Sequence, residues 1–279
     1  MKDIFAYNEA VKRMRMFFQD MLNFVEVPAQ SRLTILSACE DPKTLTKFSF
    51  DGTSYSLPQT GQMQLEYELL KNPEVEGVFC VSTSFRNEPN PIEGRHQKVF
   101  PMFEFETTSE NFSDLILLEK KLLAYMGFKG FSQISYEEAC TKYKKDTIEA
   151  ETEEQMYKDG SHIAFLHHFP YRSEPFWNMK RNKENPDLYN KVDVIMHGQE
   201  TIGSAERSCD PNDMLERFYT LADGGYAAIL EEHFGKERVR AELDEFLSLP
   251  FIPRVGGGIG VGRMARAMEL SGLFDAVKA

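Results

Sequence analysis

The chain has 279 residues and a mass of 32.1 kDa, enough for one large α/β or α+β domain with a sizeable core. At 42% hydrophobic and 27% charged residues it is neither disordered nor fibrous, and its net charge of −12 would repel a polyphosphate backbone unless the basic residues gathered on one face. Nucleic acid is therefore not the default partner.

Residues 7–25 place Val11, Met14, Phe17, Phe18, Met21 and Leu22 three and four apart, the stripe of an amphipathic helix. Val25-Glu26-Val27 before Pro28 reads as a short strand at a sheet edge, of the kind a partner subunit covers. Short β-rich pieces around Asp51-Gly52 predict a hairpin over 48–57, followed by a helix over 62–70. Two β-rich runs, 78–85 and 99–106, flank a charged loop that holds Arg86, Glu88, Arg95 and His96. A helix is expected over 115–126, and the Glu- and Lys-dense stretch 135–159 reads as one or two solvated helices. Strands over 164–166 and 192–196 enclose a polar loop, and amphipathic helices are expected over 214–234 and 237–247. Gly256-Gly257-Gly258-Ile259-Gly260 is a glycine-rich lead-in to a helix over 263–270. The pattern predicts a single α+β domain, Met1–Ala279, on a mostly antiparallel β-sheet flanked by helices.

No run approaches the roughly 18 apolar residues of a membrane span, and the first 19 residues carry both charge signs where a signal peptide is apolar. Cys39, Cys80, Cys140 and Cys209 lack CxxC spacing, which argues for a reducing compartment rather than a zinc cluster or disulfide framework. A cytoplasmic protein with no membrane partner is expected.

Three sets of residues could carry chemistry. In the loop, arginine forks suit phosphate and carboxylate oxygens, His96 adds a donor, and Phe100 just beyond could stack on a nucleobase; alternatively Arg86 and Glu88 simply pair on a hairpin. The glycine run lets backbone pass close to a ligand or to another strand, but lacks the Lys-Ser/Thr of a P-loop and the spacing of a Rossmann turn. Asp193 and Glu200, across the Gly198 turn, could share a magnesium ion with bound phosphates. His162, His167 and His168 lack metal-ligand spacing and read as structural or surface residues.

Taken together, Phe85-Arg86-Asn87-Glu88, Arg95-His96 and Phe100, followed by Gly256 through Arg263, resemble motifs 2 and 3 of the class II aminoacyl-tRNA synthetases. The helix ending in Val25-Glu26-Val27-Pro28 looks like motif 1, the dimer-forming element, which implies a homodimer. The segment from Val192 to Arg207 is similar to the aspartyl/asparaginyl branch. By that match Asp193 and Glu200 would bind Mg²⁺, and Arg207 would read the substrate's side-chain oxygen and disfavour lysine. Ser37-Ala38-Cys39-Glu40 is similar to a segment whose glutamate meets the α-amino group, and Gln62 would lie near the amino acid. Leu65 stands where aspartyl enzymes carry lysine, and Glu66 matches a glutamate that suits an amide.

The resemblance gives Arg86 the α-phosphate, Glu88 the adenine edge, Arg95 and His96 the outer phosphates, and Phe100 and Arg263 the two faces of adenine, with Arg86 and Arg263 as catalytic groups. Two departures stand out: Val99 replaces a glutamate, and Glu174 replaces a basic residue before Pro175-Phe176. No anticodon-binding domain is read in the chain, which with the acidic charge argues against conventional tRNA charging. The resemblance therefore implies a ligase of the archaeal asparagine synthetase A type, adenylating aspartate with ATP and taking ammonia to give asparagine. The alternatives are an asparaginyl-type paralogue that activates asparagine for another acceptor, or a non-catalytic amino acid- and nucleotide-binding paralogue.

Overall fold

The computed structural model describes residues 3–29, 31–37 and 41–274. Its centre is an eight-stranded sheet in the order β1-β4-β5-β10-β9-β8-β7-β6. The strands are β1 (Val25–Glu26), β4 (Gly77–Phe85), β5 (Val99–Thr108), β6 (Phe131–Ser135), β7 (Ile163–Pro170), β8 (Leu188–Met196), β9 (Gln199–Glu206) and β10 (Arg254–Gly260). Pairing is antiparallel except at the two ends, where β1 joins β4 and β6 joins β7 in parallel. A separate hairpin, β2 (Lys47–Phe50) with β3 (Thr53–Ser56), turns at Asp51-Gly52.

Period-2 alternation gives the central strands one oily and one polar face. Phe79, Phe103, Phe105, Val192, Val194, Ile202, Val255 and Ile259 point to the back and are buried against α1 (Ile4–Arg15), α3 (Phe112–Met126) and α9 (Val261–Leu270). Phe18, in the π-helical turn Met16–Met21 that continues α1, lies 4.9 Å from Phe105 and 5.2 Å from Phe103 by ring centroids. The helix expected over 7–25 is therefore present, beginning at Ile4 and widening to a π-helical turn at its end.

The front face is covered in three places. At one side lies α2 (Gln62–Lys71), and at the other α4 (Tyr136–Tyr143) and α5 (Ala150–Lys158). Between them α6 (Pro211–Thr220), α7 (Gly225–Phe234) and α8 (Lys236–Leu247) pack around Trp177, Phe218 and Phe246. Asp210 caps α6 by accepting from the Asn212 and Asp213 amides, with Pro211 at the first helical position. A Ser135–Glu138 capping box starts α4.

Three expectations change. The helix expected over 214–234 is two, because Ala222 and Asp223 both adopt left-handed φ of 53° between Thr220 and Gly225; the apolar spacing runs across the break and hid it. The glycine run does lead into helix α9, whose N-cap is Gly260, but it is strand β10, paired on both sides, rather than a turn. The strands β6 and β9 also join the sheet, although the sequence reading placed no strand at either. Among the described residues no helix is long and apolar enough to cross a membrane.

Gly257 faces the back, where a Cβ would lie 2.3 Å from Ser204 Cβ and 2.7 Å from the Gly203 carbonyl oxygen. Gly257→Val is expected to cost about 1–3 kcal/mol or more through overpacking, read as a fall in urea midpoint with unchanged slope.

Candidate active site

Register builds the site. Lys191, Ala205, Gly256 and Glu106 lie side by side across β8, β9, β10 and β5, and Asp193, Gly203, Gly258 and Glu104 form the next row on the same front face. With strands about 4.8 Å apart, each row spans roughly 14 Å. The two middle positions of each row are glycine or alanine and the outer ones are charged. The result is a trough with a backbone floor and charged walls. The floor has no room for larger side chains: a Cβ on Gly256 would lie 1.8 Å from Glu106 Oε2, and one on Gly258 2.8 Å from Met102 Cε. Above the β8 wall a cleft of about 470 Å³ opens between Lys43, Glu174, Phe176, Asp193, Glu200 and Tyr226.

One end of the trough closes on a buried charge cluster. Arg254, two residues before the glycines, donates to Glu66 Oε2 from Nη2 at 2.6 Å and Nε at 3.1 Å. Asn178 Nδ2 donates to Glu66 Oε1 at 2.6 Å. Arg207 donates from Nε to Glu106 Oε1 at 3.2 Å and lies 3.7 Å from Glu66. Gln62, from the first turn of α2, also donates to Glu106. Glu66 and Glu106 are fully buried. Burial pushes Glu106 up to about 7 and Glu66 adds to this, while Arg207 and Arg254 oppose it. The structure thus brings Gln62, Glu66 and Arg207 together, and adds Glu106, Arg254 and Asn178, which the sequence reading missed. Glu66 is behind the surface, with both oxygens already bonded within the protein. Glu40 lies outside the described residues.

The other end is rich in guanidinium groups. Arg86, at the end of β4, places its guanidinium 5.5 Å from the Phe100 ring across the hairpin. Glu88 pairs with His96 at 2.9 Å rather than with Arg86. Arg95 donates to the Gly198 carbonyl at 3.0 Å and pairs with Glu153 of α5. Arg263, in the first turn of α9, donates to the Glu200 carbonyl at 2.5 Å. Burial, together with Arg95 and Arg263, draws the Arg266 pKa below its ordinary value, a mark of three guanidiniums crowded at one place. A helix N-terminus and a group of arginines make an anion site.

Asp193 and Glu200 flank Gly203, whose missing Cβ would lie 3.6 Å from Asp193 Oδ1 and 2.9 Å from Glu200 Oε1. Burial pushes Asp193 up to about 7, opposed by Lys191 and reinforced by Glu200. Two converging carboxylates are hard oxygen donors, so the residues fit a magnesium ion that keeps water or phosphate oxygens; among the described residues no three metal-ligating side chains form a cage. Val99 is exposed at the start of β5, and Glu174 takes a left-handed φ of 52° at the cleft rim. His162, His167 and His168 lie along or just before β7, away from the trough.

Behind the floor, Glu119 of α3 is fully buried and accepts from the Ser204 hydroxyl at 2.5 Å. Burial pushes its carboxyl up to about 8, the Ser204 bond opposing and Asp193 adding. Between pH 5 and 8 the folded protein keeps a proton the unfolded chain has lost, so stability falls as pH rises, by up to about 1.4 kcal/mol per unit for one such group. Glu119→Gln is expected to flatten the pH dependence of unfolding free energy over this range; curves parallel to wild type would rule the account out.

The family model described as tRNA synthetases class II (D, K and N) matches residues 1–272. Relatives by sequence include the lysine–tRNA ligase of Psychrobacter sp. (strain PRwf-1), 24% identical over 242 residues, covering 68% of this chain and 45% of that protein. That of Helicobacter pylori (strain Shi470) is 25% identical over 239 residues, covering 68% and 46%. Similar solved structures include the Pyrococcus horikoshii asparaginyl-tRNA synthetase with asparaginyl-adenylate, at TM-score 0.77 and 21% identity, covering 95% of this chain and 64% of that one. The Entamoeba histolytica asparaginyl-tRNA synthetase with the same adenylate gives 0.71 and 19%, covering 94% and 62%. The chain spans about half the length of these curated relatives.

Proposed function

The chain belongs to the class II tRNA synthetases of the D, K and N type, and on that premise we propose that it is an ATP-dependent ligase that adenylates aspartate and passes the acyl group to ammonia. The observation that carries this reading is the trough itself: a flat glycine floor between an arginine-lined anion end and a closed, charge-balanced end. An extended acyl adenylate has that distribution of charge. The phosphates lie among guanidiniums, and the carboxylate of the amino acid that is not activated lies against Arg207.

In this reading a substrate carboxylate oxygen attacks the α-phosphorus, forming the mixed anhydride as the bond to pyrophosphate breaks. Arg86 holds the α-phosphate and the attacking carboxylate, while Phe100 and Arg263 sandwich adenine and Glu88 meets its edge. Arg95 and His96 take the outer phosphates. Catalysis is by positioning and charge neutralisation, and no side-chain nucleophile takes part. Asp193 and Glu200 would hold Mg²⁺, which supplies further neutralisation of the phosphates. By the resemblance Glu40 would meet the amino group and Gln62 would lie near the amino acid, and Glu66 acts through Arg207 by fixing its place. Ammonia then attacks the acyl carbon, AMP leaves and a proton is lost; formation of asparagine requires that the side-chain carboxylate be the one adenylated. The net charge of −12 favours a small neutral acceptor over a polyanion.

The lysine–tRNA ligases among the relatives favour a second reading, activation of lysine, against which Arg207 would set a cation facing a cation. Exposed Met21 and Val25, just before and on the edge strand β1, support a homodimer; sedimentation should give about twice the chain mass at micromolar concentration, and a monomer would contradict it.

The decisive experiment is ATP–pyrophosphate exchange with aspartate, asparagine and lysine separately, followed by product analysis with ammonia. Exchange with aspartate and ammonia-dependent asparagine and AMP are expected. Exchange with asparagine alone points to another acceptor, lysine alone to the second reading, and none to a binding paralogue. Arg207→Lys keeps the charge but loses the fork, and should lower kcat/KM for the amino acid at least tenfold with ATP affinity within twofold of wild type.

A further inference from the structure

Lys191 is absorbed by none of these roles, yet it stands in the wall of the cleft beside Asp193, Glu200 and Gly203. Two residues before Asp193 on β8, it points to the same face, and its Nζ lies 2.5 Å from Asp193 Oδ1 and also bonds Oδ2. The ammonium also sits 3.6 Å from the centre of the Phe169 ring on β7. It therefore occupies both oxygens of a carboxylate that a divalent ion would use.

We propose that Lys191 is a resident cation of the trough: its ammonium holds Asp193 in the free protein, and a divalent ion gains that carboxylate only after nucleotide phosphates draw the ammonium away. The inference rests on the reading of Asp193 and Glu200 as the cation pair. Two features of the site support it. Lysine is a mobile point charge on a four-carbon stem, unlike the arginine forks tied down around it, so it can exchange one anion for another without moving backbone. And the arginine group, with Arg263 on the Glu200 carbonyl, would bring phosphate oxygens toward Asp193, two residues along β8 from Lys191. With the ammonium on both Asp193 oxygens, a divalent ion at that carboxylate meets a like charge at contact distance, so metal and ammonium compete for it. Nucleotide, which binds the ammonium, then promotes metal binding, and by linkage metal promotes nucleotide binding.

The test uses Mn²⁺ alone, followed by electron paramagnetic resonance, and ATP alone in EDTA, followed by calorimetry. In Lys191→Met, Mn²⁺ should bind at least tenfold more tightly than in wild type, and metal-free ATP at least tenfold more weakly. Lys191→Arg should stay within threefold of wild type for ATP, and adding Asp193→Asn to Lys191→Met should abolish the gain in Mn²⁺ affinity. Thermal unfolding establishes that each variant is folded. Mn²⁺ affinity within twofold of wild type in Lys191→Met, or unchanged binding of metal-free ATP, overturns the proposal. Neither measurement needs turnover: absence of pyrophosphate exchange with every amino acid would remove the ligase reading while leaving this result to stand or fall alone.

Discussion

Two glutamates and two arginines share a volume closed to water, and the front of the molecule is arranged around keeping them paired. Glu66 comes from α2, Glu106 from β5, Arg207 from the end of β9 and Arg254 from the start of β10. Desolvation makes each charge costly alone, and removing one partner of such a pair typically costs about 3–5 kcal/mol. The cluster therefore fixes four elements relative to one another, and it does so at the end of the trough opposite the arginine group. Gly256 is part of the same constraint, because any Cβ there would displace the Glu106 carboxylate.

The sheet serves two solvents at once. Its back is a packed aromatic layer around Phe18, Phe79, Phe103 and Phe105, which contributes burial energy and asks nothing of the ligand face. Its front holds acids, amides and arginines whose partners come from the same or neighbouring strands, from loops such as that of Asn178, and from helices laid on the edges. Stability and recognition are divided between the two sides of the same strands. The division is not complete, since Glu119 places one acid behind the floor, tied through Ser204 to the strand that carries Gly203.

Much of this could be read from residue order. The strands on either side of the charged loop, the edge position of Val25-Glu26 and the hairpin at Asp51-Gly52 followed from alternation and turn chemistry, and the motifs that carry the family resemblance sit where the trough is. What escaped was set by tertiary pairing. Arg254 precedes the glycines without any local signal, and it matters only because β10 lies between β5 and β9. Glu104 and Glu106 alternate with Phe103 and Phe105, a period-2 pattern that could have placed both acids on the front. Lys191 and Asp193 carry the same spacing. The break at Ala222 and Asp223 did carry a clue, because Asp223-Gly224-Gly225 is a turn signal, and the reading followed the apolar stripe across it instead.

The trough also differs from a pocket lined by side chains in how it can change over evolutionary time. Its depth is set by main chain, with Gly203, Gly256 and Gly258 already at the smallest residue and Ala205 one methyl above it. Substitution can raise this floor but scarcely lower it, so larger ligands cannot be admitted by trimming from below. New preferences must come from the walls on β8 and β5 or from the helices across the front, where residues differ without crossing the sheet. The surface that any ligand must lie on thus leaves substitution little room, and a change of preference falls to the groups that face it.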